Sequence, residues 1–245
     1  MCGAAIDLSD DEVQLWHVDP DGVADPQVLD RYRQMLSADE HRRYARYKVE
    51  AVRHQFLVTR GLVRSTLSCY GEREPAAWRF ECNEFGRPEV VNFPGPKQLR
   101  FNLSHSQGRI VCAVAWQRDL GVDVEYVDRR SGGPDLAQRF FAAREVDDLL
   151  ALPPSQQRRV FFDYWTLKEA YIKARGKGLA IPLDKFAFVL RRDEPIRIEC
   201  EAELCDEPAD WQFEQFDLSA RHRVALAVHR QPGCDCRLSV RQFQP

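Results

Sequence analysis

The chain has 245 residues, of which 44% are hydrophobic and 30% are charged, and its formal net charge is −3. This length fits one large domain or two domains of ordinary size, and this composition excludes a globally disordered chain. The near balance of charge gives no general attraction to nucleic acid or to an anionic membrane, so neither is an expected partner.

The sequence also lacks the segments that direct a protein into or across a membrane. The first eight residues do not have the pattern of a signal peptide, and the longest apolar run is short, at residues 110–116. A membrane-spanning helix needs about 20 apolar residues. We therefore expect a cytoplasmic protein whose eight cysteines are free thiols.

Helix patterns and then strand patterns occupy the first half of the chain. Alternating apolar and polar residues predict a first strand at residues 12–18. Asp25 is a typical N-cap for a helix at residues 26–36, and Ser37 with Glu40 forms a capping box that opens the next helix. The remaining patterns predict a long helix followed by four strands, at residues 50–70, 78–82, 99–103, 110–116 and 120–127. The three polar residues between the last two strands favour a hairpin.

A polar, glycine-containing segment at residues 128–134 is the best candidate for a linker. After it, the pattern of helices and then strands begins again. Helices are predicted at residues 136–141, 143–152 and 155–175, and strands at residues 186–190, 196–200, 211–216, 224–228 and 238–240. We therefore predict an α+β fold with an N-terminal lobe at residues 1–127 and a C-terminal lobe at residues 128–245.

Two carboxylates mark the predicted strand that ends the first half. Asp123 and Glu125 lie two residues apart, and side chains alternate along a strand, so both point to the same face. Two carboxylates on one face repel each other, and a bound magnesium ion would relieve that repulsion. A half-exposed strand with a polar outer face would give the same pattern.

A second group of polar residues lies in the predicted helix at residues 155–175. Trp165, Lys168, Glu169 and Lys173 fall on neighbouring rows of that helix. Glu169 would complete a three-carboxylate cation site, and the two lysines would neutralise phosphate oxygens. The same spacing is also typical of a simple Glu169–Lys173 salt bridge with Trp165 in the core.

A third group, Ser104 and His105, follows a predicted strand. Adjacent residues on a strand point to opposite sides, which argues against a serine–histidine dyad, and no G-x-S-x-G motif is present. Phosphate binding is the better functional interpretation, and a structural histidine is the alternative. Together, the three groups indicate a bound divalent ion and a phosphate-bearing ligand, which are the equipment of phosphoryl transfer.

These motifs occur in an order that resembles the Sfp-type 4′-phosphopantetheinyl transferases. The resemblance covers about residues 35 to 190, and the long block that contains Trp165 is its most specific part. The blocks that carry it are Phe-Gly-Arg-Pro at 85–88, Phe-Asn-Leu-Ser-His-Ser at 101–106, Gly-Val-Asp-Val-Glu at 121–125, the block at 161–179, and Ala-Ile-Pro-Leu-Asp at 180–184.

The resemblance implies a fold, a reaction and partners. The implied fold is a pseudo-twofold monomer of two similar lobes, each with helices packed on antiparallel sheets, and coenzyme A binds in the cleft between them. The implied reaction moves the 4′-phosphopantetheine of coenzyme A to a serine of an acyl or peptidyl carrier protein, with release of 3′,5′-ADP. Such carriers serve fatty-acid, polyketide or nonribosomal-peptide synthesis.

The resemblance also assigns roles to individual residues. The residues that match magnesium ligands are Asp123, Glu125 and Glu169. The residues that match contacts of coenzyme A are Arg46, Arg53, Arg87, Ser104, His105, Lys168 and Lys173. Those implied to act in catalysis are Glu145, which would take the serine proton, with Glu169 and Lys173.

The match departs from the family pattern at one position, and three other functions are alternatives to it. Gln55 stands where relatives often carry an arginine, so Arg53 is the substitute candidate. A relative that binds coenzyme A without transferring it would not need the complete set of carboxylates and lysines. A P-loop nucleotide hydrolase would need a G-x-x-x-x-G-K-[ST] loop, which the sequence lacks. An interaction protein with solvated charged patches is the third alternative.

Overall fold

The computed structural model describes residues 6–204, 207–231 and 235–245. In these residues, six α-helices and eleven strands form two lobes, and each lobe packs a group of helices on a sheet. This confirms the predicted α+β class.

The first lobe contains three helices, α1 to α3, at Pro26–Met35, Ala38–Arg46 and Glu50–Ser68. The predicted Asp25 N-cap and the Ser37–Glu40 capping box are both present. The strands of this half are β1 to β5, at Glu12–Val18, Phe80–Cys82, Pro88–Val90, Leu99–Ser106 and Arg109–Trp116. The short strands β2 and β3 form a separate antiparallel ribbon.

The second lobe begins with β6 at Leu120–Tyr126. Its helices α4 to α6 lie at Pro134–Phe140, Ala143–Leu150 and Pro154–Arg175. The strands that follow are β7 to β11, at Phe186–Val189, Arg197–Cys200, Trp211–Ser219, His222–His229 and Arg237–Gln242. Strands β7 and β8 form a second small ribbon, while β6, β10 and β9 form the main antiparallel sheet of this lobe.

The predicted lobes, at residues 1–127 and 128–245, exchange strands. The sheet of the first lobe has the order β11-β1-β5-β4, so the last strand of the chain joins it, in parallel with β1. Conversely, β6 pairs with β10 in the sheet of the second lobe, although it precedes residue 128. A division of the chain between residues 127 and 128 therefore does not separate the two sheets.

The predicted hairpin between β5 and β6 is wrong. β5 pairs with β1 and β4, whereas β6 pairs with β10, so the short connection carries the chain from one sheet into the other. Gln117 has a positive φ of 52° in this connection. Strand β6 is buried on both faces, which requires a covering layer on each side and explains why it leaves the first sheet.

Three apolar clusters stabilise this arrangement. One lies between α1–α3 and the first sheet, one surrounds α6, and one lies between the two sheets. The edges of β4 and β6 are also joined by side chains, because Asn102 Oδ1 accepts from Val122 N at 3.0 Å and Ser106 Oγ accepts from Tyr126 N at 2.9 Å. Strand β4 is thereby held directly beside β6.

The cysteine prediction holds only in part. Cys82, Cys112 and Cys236 carry free thiols, whereas Cys69 is disulfide-bonded, so the prediction is wrong at that position. Cys2, Cys205 and Cys234 lie outside the described residues. None of the helices in the described part of the chain combines the length and the apolar character that a membrane crossing requires.

Candidate active site

A close contact between β6 and α6 forms the base of the site. A Cβ atom added at Gly121 would lie 2.1 Å from the backbone oxygen of Ala170 and 2.4 Å from the backbone nitrogen of Ala174. Only glycine allows the strand and the helix to approach this closely. The approach brings Asp123, two residues further along β6, next to the side chains of α6.

Asp123 is the centre of a buried polar group. It is 4% exposed, and its Oδ1 accepts from the ammonium of Lys173 at 2.6 Å and from the hydroxyl of Ser104 at 2.8 Å. Lys173 also lies 3.1 Å from the Ser104 oxygen. Asp123 Oδ2 is buried and has no hydrogen-bond partner among the described residues. One oxygen of this carboxylate is thus fixed by donors, and the other is left for a further ligand.

Glu125 lies on the same face of β6 and is 8% exposed. Its Oε1 forms an ion pair with Arg129 at 3.1 Å and accepts from Trp165 Nε1 at 3.1 Å. Burial and the negative charge of Asp123 raise the pKa of Glu125 to about 7, against the opposing effect of Arg129. The charge of this carboxylate is therefore only partly compensated.

Glu169 completes the predicted set of carboxylates from α6. Burial, followed by the negative charge of Asp123, raises the pKa of Glu169 above its usual value. Within the described residues, no three His, Cys, Asp or Glu side chains are arranged closely enough to hold a metal ion as they stand. The chemistry of the residues nevertheless fits a hard cation, because carboxylate oxygens suit magnesium. A bound positive charge would also offset the repulsion from Asp123 that helps to raise the pKa values of Glu125 and Glu169.

An open cleft of about 360 Å³ adjoins these carboxylates and shares Lys173 with them. Its walls come from α2, α3, the β2–β3 turn, β4 and the end of α6, so both lobes contribute to it. The cations that line it are Arg43, Arg60, Arg87 and Lys173. A cleft with this charge is suited to a ligand that carries several phosphates.

His105 is exposed on β4 at this edge of the first lobe. Partial desolvation of its ring and the positive charge of Lys173 lower its pKa, and Arg60 adds to the effect. Both influences favour the neutral form of the ring, and the positive charges of Lys173 and Arg60 lie close to it. Ser104, the preceding residue, points inward to Asp123, as the alternation of side chains requires.

Arg87 lines the cleft, but its guanidinium forms hydrogen bonds with other residues of the protein. Its Nη1 donates to the backbone oxygen of Ala174 at 2.8 Å, and its Nη2 donates to Glu89 at 2.8 Å. The guanidinium lies so close to Gly176 that a Cβ atom there would be 2.6 Å from Arg87 Cζ. Asn83 adds a contact to the same segment, because its Nδ2 donates to the backbone oxygen of Gly176 at 2.7 Å. These contacts of Arg87 and Asn83 join the β2–β3 turn to the end of α6.

Arg46 and Arg53 do not line the cleft. Arg46 is exposed at the last residue of α2, and Arg53 pairs with Glu50 on the first turn of α3. The arginines that do line it, Arg43 and Arg60, were not assigned a role from the sequence. Only the packing of α2 on α3 determines which basic residues of this region face the cleft. The sequence places seven of them close together: Arg42, Arg43, Arg46, Lys48, Arg53, Arg60 and Arg64.

Glu145 and Lys168 form a wholly buried ion pair, and each is 0% exposed. Lys168 Nζ donates to Glu145 Oε2 at 2.7 Å and to the backbone oxygens of Leu183 and Phe186 at 2.7 Å and 2.6 Å. Glu145 Oε1 accepts from Phe188 N at 2.9 Å. Burial is the main influence on both groups, raising the pKa of Glu145 and lowering that of Lys168.

This geometry gives no support to the roles that the resemblance implied for the pair, which stay predictions. Glu145 was expected to take a proton from a carrier serine, and Lys168 to contact phosphate. Neither presents an atom to the cleft, because the polar atoms of both are used within the second lobe. Their contacts instead tie α5 and α6 to β7 and to the turn that precedes it.

The chain matches known proteins over most of its length. Residues 119–228 match the family model described as the 4′-phosphopantetheinyl transferase superfamily. The 4′-phosphopantetheinyl transferase HetI of Nostoc sp. is 38% identical over 192 residues, which cover 78% of this chain and 80% of the relative. The 4′-phosphopantetheinyl transferase Sfp of Bacillus subtilis is 33% identical over 199 residues, which cover 81% and 84%. The residues matched by the family model include the carboxylates of β6 and the polar face of α6.

Proposed function

The chain belongs to the 4′-phosphopantetheinyl transferase superfamily, and from this premise we propose how it transfers the phosphopantetheine of coenzyme A to carrier proteins. The proposal is that the transfer needs magnesium, that the acceptor is a serine hydroxyl, and that 3′,5′-ADP is the second product. The observation that carries it is the junction of a cationic cleft with three carboxylates that share the neighbouring Lys173.

The cleft is the proposed site of coenzyme A. Arg43 and Arg60 supply positive charge from the first lobe, and Lys173 supplies it from the second. We assign the 3′-phosphate to Arg60 with the neighbouring His105, and the pyrophosphate to Lys173. A phosphate at His105 would add the negative charge that favours its protonation, so the lowered pKa of the free ring is compatible with a phosphate contact.

Asp123, Glu125 and Glu169 are the proposed magnesium ligands. The unpartnered Asp123 Oδ2 and the raised pKa values of the other two carboxylates support this assignment. When bound, the ion supplies positive charge to the pyrophosphate of coenzyme A. The protein residues orient the carboxylates for it: Ser104 and Lys173 hold Oδ1 of Asp123, while Oδ2 has no donor among the described residues and is left for a ligand.

The chemical step requires loss of a proton from the acceptor and stabilisation of the leaving group. The serine hydroxyl attacks the phosphorus that bears the pantetheine arm, the bond to the 5′-phosphate of 3′,5′-ADP breaks, and the proton leaves to a carboxylate. Glu169 is the proposed acceptor, because it lies close to Asp123 and is not enclosed as Glu145 is. Lys173 stabilises the charge that develops on the leaving phosphate.

Acyl and peptidyl carrier proteins are the proposed partners, in fatty-acid, polyketide or nonribosomal-peptide synthesis. A cytoplasmic location and a monomeric state stay predictions. No attraction to nucleic acid or to a membrane is expected from the net charge of −3. The wall of the cleft comes from both lobes of one chain, which supports a site that a monomer can form alone.

The test is the intact mass of an apo carrier protein after incubation with this protein, coenzyme A and magnesium. We expect the mass of one phosphopantetheine to be added, and the addition to stop with EDTA. Asp123→Asn should lower the rate at least about 100-fold with an unchanged fold, since it removes charge at the centre of the site. Asp128→Asn, at an exposed residue just beyond β6, is the matched control. An unmodified carrier, tested across acyl and peptidyl types, would instead support a coenzyme A-binding relative without transfer.

A further inference from the structure

Arg129 has contacts that neither the sequence motifs nor the proposed reaction assign to a function. It lies just after β6, and its side chain is 30% exposed. Its guanidinium lies over two aromatic rings, 5.3 Å from the ring centre of Phe162 and 5.8 Å from that of Trp165. From this position Nη1 reaches Glu125 Oε1 at 3.1 Å. An arginine that rests on two rings and points to one carboxylate oxygen has little rotational freedom left to lose.

Trp165 acts on the same oxygen of Glu125. Its Nε1 donates to Oε1 at 3.1 Å, so Oε1 has two donors. Within the described part of the chain, Oε2 has one hydrogen-bond partner, the Ser106 hydroxyl at 3.4 Å. A contact of that length is weak. The carboxylate is therefore anchored through one oxygen, while the other is only lightly engaged.

Asp123 has the same arrangement. Its Oδ1 takes two donors, Lys173 and Ser104, and its Oδ2 has no partner among the described residues. Each carboxylate of β6 thus has one oxygen held by a cation and a neutral donor, and one oxygen left for a further ligand. Arg129 takes the part at Glu125 that Lys173 takes at Asp123.

We propose that Arg129, seated on Phe162 and Trp165, is a positioning residue that orients Glu125 as a metal ligand. This inference rests on the proposed function, because it presumes that the carboxylates bind magnesium. Groups that hydrogen-bond a metal-ligating carboxylate fix its orientation, and their loss typically weakens metal binding about 10–100-fold. Arg129 also places a positive charge beside carboxylates that otherwise repel each other.

The geometry also defines the opposite role, in which Arg129 competes with the metal for Glu125. The two roles predict opposite effects of removing the arginine. Loss of a positioning residue weakens metal binding, whereas loss of a competitor strengthens it. A measurement of metal affinity therefore decides between them, and it does so without reference to turnover.

The experiment titrates Mn²⁺ into the protein with saturating coenzyme A and follows free Mn²⁺ by electron paramagnetic resonance. Mn²⁺ takes the oxygen ligands that magnesium takes. We expect Arg129→Gln to weaken Mn²⁺ binding about 10–100-fold and Arg129→Lys to recover part of the loss. In turnover assays the effect should fall on the KM for magnesium, with kcat at saturating magnesium reduced much less. Arg130→Gln changes the neighbouring, exposed arginine and is the matched control, expected to leave the Mn²⁺ affinity unchanged.

The outcomes separate this inference from the proposed function. If the wild-type protein binds no Mn²⁺, the proposed metal ligands are wrong and the role of Arg129 falls with them. If the wild type binds Mn²⁺ and Arg129→Gln binds it equally well or more tightly, only the positioning role is wrong. Thermal unfolding of each variant identifies a loss of fold, and Arg129→Lys, which keeps the charge, provides the test if Arg129→Gln does not fold.

Discussion

The ion pair between Glu145 and Lys168 gives the sharpest contrast between a structural and a catalytic role. Glu145→Ala would leave the ammonium of Lys168 buried without its counter-ion. Breaking such a pair from one side costs about 3–5 kcal/mol. The Phe188 N–H, which now donates to Glu145 at 2.9 Å, would lose its acceptor at a further cost of about 1–3 kcal/mol. We expect a loss of about 5 kcal/mol in total, equivalent to a fall in Tm of roughly 10–20 °C for a chain of this size.

The assay is thermal unfolding followed by circular dichroism, together with the carrier modification rate. In the double variant E145Q/K168M, neither charge remains, and the amide of residue 145 can still accept from Phe188 N. We expect the double variant to recover at least half of the lost stability, because removing both charges together avoids the unpaired ion. Its kcat should stay within about tenfold of wild type.

A general base at Glu145 would give a different result. The folded double variant would then lose roughly 10²–10⁴-fold in kcat, the usual contribution of acid–base catalysis. An unchanged Tm for Glu145→Ala together with a loss of that size would refute the structural interpretation. The same measurements would then restore the role that the resemblance implied.

Three further predictions concern other parts of the molecule. Gly121→Ala should prevent stable folding or lower Tm by more than about 10 °C, because its methyl group would lie 2.1 Å from a backbone oxygen of α6. Gly22→Ala is the control, because its methyl group would have no other atom within 4 Å, and it should leave Tm unchanged. Arg60→Ala should raise the KM for coenzyme A about tenfold, which is the effect of losing one charged hydrogen bond. Arg53→Ala, outside the cleft, should leave this KM unchanged. Equal effects of the two variants would show that the cleft is not the binding site. Burial and Asp123 raise the pKa of Glu125 from 4.5 to about 7 in the metal-free protein. Between these two pH values the folded protein holds a proton on Glu125 that the unfolded chain has lost. The contribution of Glu125 to the free energy of unfolding should therefore fall by roughly 1.4 kcal/mol per pH unit as the pH rises through this range. Urea unfolding across that range should give a slope that is steeper by about this amount in the wild type than in Glu125→Gln, since Glu145 and Glu169, whose pKa values are also raised, contribute to the slope of both proteins.

The elements of the fold were predictable because their signals are local. N-caps, the capping box and the alternation of apolar residues gave helices and strands close to the observed bounds. The pairing of strands was not predictable in this way. The short link between β5 and β6 is locally compatible with a hairpin, and only the need to cover both faces of β6 moves that strand into the other sheet.

The site was predictable where a motif fixes the spacing. Asp123 and Glu125 share a face because they lie two residues apart on a strand, and the backbone contact at Gly121 brings α6 beside them. Burial was not predictable. Nothing in the sequence around Glu145 indicates that its carboxylate is enclosed, since the groups that pair with it come from Phe188 in β7 and from Lys168 in α6. For the same reason, the choice of Arg43 over Arg46 required the packing of α2.

The exchange of strands between the lobes also has a consequence for how the protein is made. During synthesis, β1 emerges before the other described strands, whereas its parallel partner β11 emerges after all of them. Until then, one edge of β1 carries unpaired backbone groups, which are sites for unwanted strand association. Strand β6 likewise waits for β10. The nascent chain therefore cannot complete its first lobe before its second, and the two lobes become native together.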